Sequence, residues 1–151
     1  MKTTDRFENA IQKLYTAFHS DILSPECCRQ CAVGNLLDHK DSWKHLSDRH
    51  GSTHLNYVGK VHEMMGRRFG GYLPSELLQI EAAFLSGCGY SLPLLHDGKK
   101  PNDPTDKETL FEGLCAAVSC LCQLDDIQDI MDCSQLFEFE KPSQPQGVLS
   151  T

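Results

Sequence analysis

The sequence predicts an all-α fold, a single-domain bundle of five to six helices with a metal-clamped N-terminal third, on three observations. Apolar residues recur at spacings of three and four along most of the chain, and no run of alternating residues argues for a sheet. Helix-start and turn residues separate the periodic segments. Cysteines and histidines in the first third stand at the spacing of a zinc site. With 151 residues, 40% of them hydrophobic, the chain has apolar material for one core rather than two. The domain is expected over residues 1–139, with 140–151 as a disordered tail.

The first helix is expected over 5–22, where Phe7, Ile11, Leu14, Phe18 and Ile22 form one face and Asp5 with Glu8 can act as a capping box. A second start is written in "SPEC", with Ser24 as N-cap and Pro25 at the first helical position, opening a segment through Cys31 to about Leu37. "DSWKHLSDRHG" predicts a short third helix with Trp43, Leu46 and His50 at helical spacing and Gly51 as a left-handed stop. The next, over 55–69, places Val58, Val61, Met65 and Phe69 on a core face, with Met64, Met65 and Trp43 all read as core. A strong helix over 74–86 carries Leu77, Ile80, Phe84 and Cys88 along one side, ended by Gly87 and Gly89. Residues 90–104, with three prolines and Gly-Lys-Lys, form the longest internal loop. Thr105 and Glu108 then cap the central helix, whose buried line is Leu110, Leu114, Val118, Leu121 and Leu124.

Charge narrows the function. Twenty-one acids against 14 Lys and Arg give a net charge of −7, so nothing attracts a phosphate backbone and no nucleic acid is expected as partner. Six acids and no Lys or Arg lie between Leu121 and Glu140. The N-terminal "MKTTDRFENAIQK" has no apolar run like that of a signal peptide, and the least charged stretch, 113–124, is too short to span a bilayer. A cytoplasmic protein without membrane insertion follows as the expectation. In that reducing setting eight cysteines read as metal ligands, redox groups or buried hydrophobes rather than disulfides.

The informative region is "ECCRQCAVGNLLDHKDSWKHLSDRHG", where Cys28, Cys31, His45 and His50 form a C-x2-C-x13-H-x4-H spacing. Zn²⁺ takes four soft or borderline ligands in a tetrahedron, and cysteines three residues apart on one helix face converge on one ion. Cys27, four residues before Cys31, is the substitute first ligand, and His39 or His54 can replace a histidine. A helix start also favours thiolate at Cys27 and Cys28, whereas Cys88 falls at a helix C-terminus, where the dipole opposes it. Cys115, Cys120, Cys122 and Cys133 sit among apolar residues and read as small core hydrophobes. Phosphate-loop, dinucleotide-binding and zincin motifs are missing, since His62-Glu63 is followed by no second histidine. Between Asp38 and His50 three acids cancel Lys40, Lys44 and Arg49, so a zinc ion here clamps helices rather than presenting one to DNA.

The segments "PECC", "QCAVGN", "WKHLSD", "HGS", "LNYVGKV", "LLQIE", "GCGY" and "PTDK" followed by "LF" together resemble a family of short bacterial proteins, the likeness covering most of residues 1–139. Some members are named after the flavin- and NADH-binding component of the sodium-translocating NADH:quinone reductase. That name implies a [2Fe–2S] domain joined to a flavin- and NADH-binding domain. A plant-type cluster uses C-x4-C-x2-C and a distant fourth cysteine, whereas Cys27 and Cys28 are adjacent, and the chain is short for the reductase domain. The resemblance brings in an iron–sulfur or thiol redox protein, with Cys27, Cys28, Cys31 and a fourth ligand such as Cys88. Against that stands the reading from spacing, a small binding or adaptor protein with structural zinc and an unidentified protein partner.

Overall fold

Helices form where the 3.6-residue period is cleanest and stop where a left-handed residue or a side-chain cap intervenes. The computed structural model describes residues 5–27, 29–40, 42–92, 98–127 and 133–139; the tail expected over 140–151 and Cys28 lie outside them. Six α-helices occur among the described residues: α1 (Asp5–His19), α2 (Ala32–Leu36), α3 (Tyr57–Met64), α4 (Pro74–Cys88), α5 (Lys107–Leu124) and α6 (Cys133–Leu136), with a 3-10 turn at Ser42–Leu46. The all-helical bundle is as the periodicity predicts.

Long helices keep their predicted faces. In α1 Phe7, Leu14 and Phe18 are buried, and the helix closes before Ile22 because Asp21 turns left-handed (φ 60°) and Ile22 N–H bonds back to Ala17 O. α4 begins at Pro74, with Glu76 Oε1 accepting from Leu73 N–H at 2.8 Å, and ends on left-handed Gly89. In α5 Leu110, Leu114, Val118 and Leu121 are buried. Its N-cap is Asp106 rather than Thr105: Asp106 accepts from Thr109 N–H, while Thr105 is held by Asp103 Oδ1. α4 and α5 make the most extensive pairing. They run antiparallel, Gly87 lying against Gly113 and Ala116.

Three expectations are corrected. The helix predicted from Ser24 is not one: residues 24–27 and 29–31 are held by bonds such as Ser24 N–H to Gln30 O (2.7 Å) and Cys31 N–H to Cys27 O (2.8 Å), and α2 starts seven residues later with Cys31 as its N-cap. Cys27 therefore lies in irregular backbone, four residues before the N-cap of α2, and not in a first helical turn. The helix over 55–69 is only Tyr57–Met64. Of its proposed core residues, Val58 and Met65 are exposed, as is Met64, whereas Val61 is half-buried and Phe69 packs against the core. Trp43 is core as expected, 1% exposed.

Arg6 ties the start of α1 to the start of α4 and the end of α5. Its Nε donates to Asp125 Oδ1 at 2.7 Å, its Nη1 to Glu76 Oε1 and Gly71 O at 2.9 Å, and its guanidinium stands 4.4 Å over the Tyr72 ring. The Asp125 side chain is 3% exposed, so Arg6→Ala removes the cation that faces a buried carboxylate. A loss of about 2–3 kcal/mol is expected, below the range for a fully buried pair because Arg6 keeps some contact with water. Urea denaturation measures it, and an unchanged midpoint would show that the network stabilises nothing.

Candidate metal centre

Cys31, His50 and Glu81 bring one ligand atom each to within 4.8 Å of one another. Cys31 is presented by the N-cap of α2, with its Sγ accepting from Gly34 N–H at 3.4 Å. His50 comes from the turn after the 3-10 segment, where Gly51 adopts φ 89° and the Trp43 ring packs edge-on to the imidazole at 5.7 Å. Glu81 projects from the middle of α4, on the same side as Leu77, Ile80 and Phe84.

Burial decides what this arrangement can do. Cys31 is fully buried and the Glu81 side chain is 1% exposed, against 13% for His50. A carboxylate at that depth costs several kcal/mol unless it is paired and hydrogen-bonded. Glu81 meets both conditions: Oε1 accepts from Val33 N–H at 3.1 Å and Oε2 from His50 Nε2–H at 2.7 Å. The carboxylate therefore pins α2 and the His50 turn to α4. One sulfur, one imidazole nitrogen and one carboxylate oxygen form a donor set that zinc accepts, leaving a fourth position for water or another ligand. His50 also borders a cleft of about 310 Å³ with Trp43, His45 and Arg49.

Of the residues that the spacing singled out, Cys31 and His50 come together here. Cys27 is not a member of the cluster, and His45, exposed on the 3-10 turn, lines the cleft beside His50 without joining it. Five residues of advance separate the two histidines by about 140° on a helix, and the 3-10 turn ends at Leu46 without closing that angle. His39 Nε2 is engaged with Asn35 Oδ1 at 2.9 Å, and His54 is exposed. Glu81 was not among the ligands read from sequence. Its signal was a lone acid four residues after Leu77 and three before Phe84, in the buried line of an apolar helix.

The other cysteines pack. Cys122 is fully buried, and Cys115, Cys120 and Cys133 lie partly buried against the core. Burial, with Glu81 nearby, pushes the Cys88 thiol up to about 12 from its ordinary 9.0, and burial pushes Cys120 up to about 11. At pH 8 the thiolate of Cys88 is then much scarcer than in the unfolded chain. Alkylation of native protein is expected to spare Cys88 until denaturant is added, with peptide mass spectrometry as the readout. Equal labelling in both states would mean that its pocket is open. A raised thiol pKa favours the fold below pH 9.0, and that contribution falls as pH rises toward 12.

No protein-family model, curated protein or solved structure matches the chain. The site's geometry therefore carries the functional reading by itself. No helix among the described residues is long and apolar enough to cross a membrane.

Proposed function

We propose that this is a small cytoplasmic binding or adaptor protein whose Cys31, His50 and Glu81 hold one structural zinc ion. The observation that carries the reading is the approach of three different ligand atoms to within 4.8 Å of one another, two of them on almost fully buried side chains. Zinc suits the set because it accepts sulfur, nitrogen and oxygen together without a redox change. The ion would reinforce the junction of the start of α2, the His50 turn and α4 that the Glu81 hydrogen bonds already make. A structural role is the natural one for a site so largely withdrawn from solvent.

The electron-transfer alternative draws less support from the donor set. An iron–sulfur cluster needs several thiolates, and among the described residues, which do not include Cys28, the convergent group holds one. Elemental analysis of anaerobically purified full-length protein tests the proposal. About one equivalent of zinc is expected; iron with a visible absorbance that bleaches on reduction would replace zinc by the redox reading. Protein without metal, which takes up none when zinc is added, would overturn both.

A further inference from the structure

α3 turns its apolar side to solvent. At about 100° per residue, Tyr57, Val58, Val61, Met64 and Met65 fall on an arc of about 120°, with Gly59 roughly opposite its centre. Such a pattern ordinarily directs the apolar arc to the core. In this fold the glycine points inward instead. Gly59 is buried, and a Cβ added there would stand 2.3 Å from the Leu46 carbonyl oxygen. The close approach is possible only without a side chain, and it fixes the rotation of the helix. Tyr57 is consequently 82% exposed, Met64 86% and Met65 68%.

Four of the five exposed large hydrophobics among the described residues thus share one helix and its C-cap. Exposed apolar side chains scattered singly need no explanation, but a cluster marks an interaction surface. Methionine is well suited to one, since its flexible thioether adapts to the shape of a partner. The cations around the cluster indicate what the partner presents. Lys60, Arg67 and Arg68 are exposed, Arg68 leaning toward Glu76 at 3.8 Å. The one acid in 57–68, Glu63, is partly buried and accepts from Ser75 N–H and Oγ–H at 2.9 and 2.7 Å. In a chain of net charge −7 these are three exposed cations on and just after the helix, while at its other end Asp48 Oδ1 accepts from the N-cap Asn56 Nδ2–H at 3.2 Å.

We propose that α3 and the turn after it form the docking surface for a protein partner that presents an apolar strip flanked by carboxylates. Apolar burial would supply most of the affinity, and the charges would set orientation and exclude basic partners. A two-fold contact between copies of this chain through α3 would set Lys60, Arg67 and Arg68 against themselves, which argues for a different molecule. The inference stands apart from the metal centre, because none of its residues is a proposed ligand.

The test uses two synthetic amphipathic helical peptides with the same leucine face, one flanked by glutamates and one by lysines, titrated into isotopically labelled full-length protein. The glutamate peptide is expected to bind, to shift amide signals within 57–68, and to lose about tenfold in affinity from low to high salt. Met64→Glu combined with Arg67→Glu, both exposed, is expected to weaken it by a further tenfold or so at an unchanged melting temperature. Equal binding of both peptides, no binding, or shifts confined to other residues would overturn the proposal. So would two other results: binding to phosphatidylglycerol vesicles in place of the peptide, which assigns the face to a membrane surface, or self-association abolished by Met64→Glu, which assigns it to a second copy.

Discussion

Cys31→Ser is expected to abolish zinc binding while leaving the metal-free protein as stable as the parent. The two halves of that result have separate causes. Serine keeps an acceptor at the N-cap of α2, where Cys31 Sγ now receives Gly34 N–H, so the helix start survives. A neutral hydroxyl cannot replace the thiolate at zinc. Free zinc at a thousandfold excess over its dissociation constant would stabilise the parent by about 4.1 kcal/mol. At roughly 2–4 °C per kcal/mol for a chain of this size, a chelator should lower the parent's melting temperature by about 8–16 °C. The Cys31→Ser protein should melt at one temperature with or without chelator, and His50→Gln should behave likewise toward the ion. If the parent itself ignores both zinc and chelator, Cys31, His50 and Glu81 form a hydrogen-bonded cluster and not a metal site.

Gly113→Val is expected to destabilise the fold by about 3 kcal/mol or more, through the seam between α4 and α5. A Cβ at Gly113 would stand 2.4 Å from Cys88 Sγ and 2.9 Å from both Phe84 Cδ1 and Phe84 O. The carbonyl is backbone, so relief requires the two helices to separate, and with them the core line of Phe84, Leu114 and Val118. Overpacking of that kind typically costs about 1–3 kcal/mol. Alanine at the same position regains about 1 kcal/mol of helix propensity and should fall short of the valine effect. Cys88→Ala removes the nearest clash, so the double variant Cys88→Ala with Gly113→Ala should cost less than the two single variants added together, by about 1 kcal/mol. Urea and thermal unfolding measure all four proteins. Strict additivity, or Gly113→Val melting with the parent, would mean that the helices do not meet at this glycine.

Much of the fold was legible because its longest helices bury one face of a regular period. Leu77, Ile80, Phe84 and Cys88, and likewise Leu110, Leu114, Val118 and Leu121, are buried where their spacing puts them. Local signals were less dependable. "SPEC" carries a sound N-cap and N1 proline, yet the chain turns there, because Ser24 N–H is used by Gln30 O and the next helix is capped by Cys31. Thr105 and Asp106 compete for one cap, and the carboxylate takes it. α3 was read with its apolar arc inward because periodicity gives a face and not a direction. A buried glycine against the Leu46 carbonyl reverses the helix.

For the candidate site, the sequence by itself determined that a cysteine near residue 30 and a histidine near 50 are worth pairing, and that most other thiols are packing residues. Only the tertiary structure decided which thiol and which histidine meet, and it added Glu81 as the third group. The reason is physical. Spacing constrains ligands within one turn of chain, as between Cys28 and Cys31, but Glu81 lies 31 residues beyond His50 and reaches it only because α4 packs against the start of α2. A carboxylate can be held at that depth once the fold supplies the Val33 N–H and the His50 ring on either side of it.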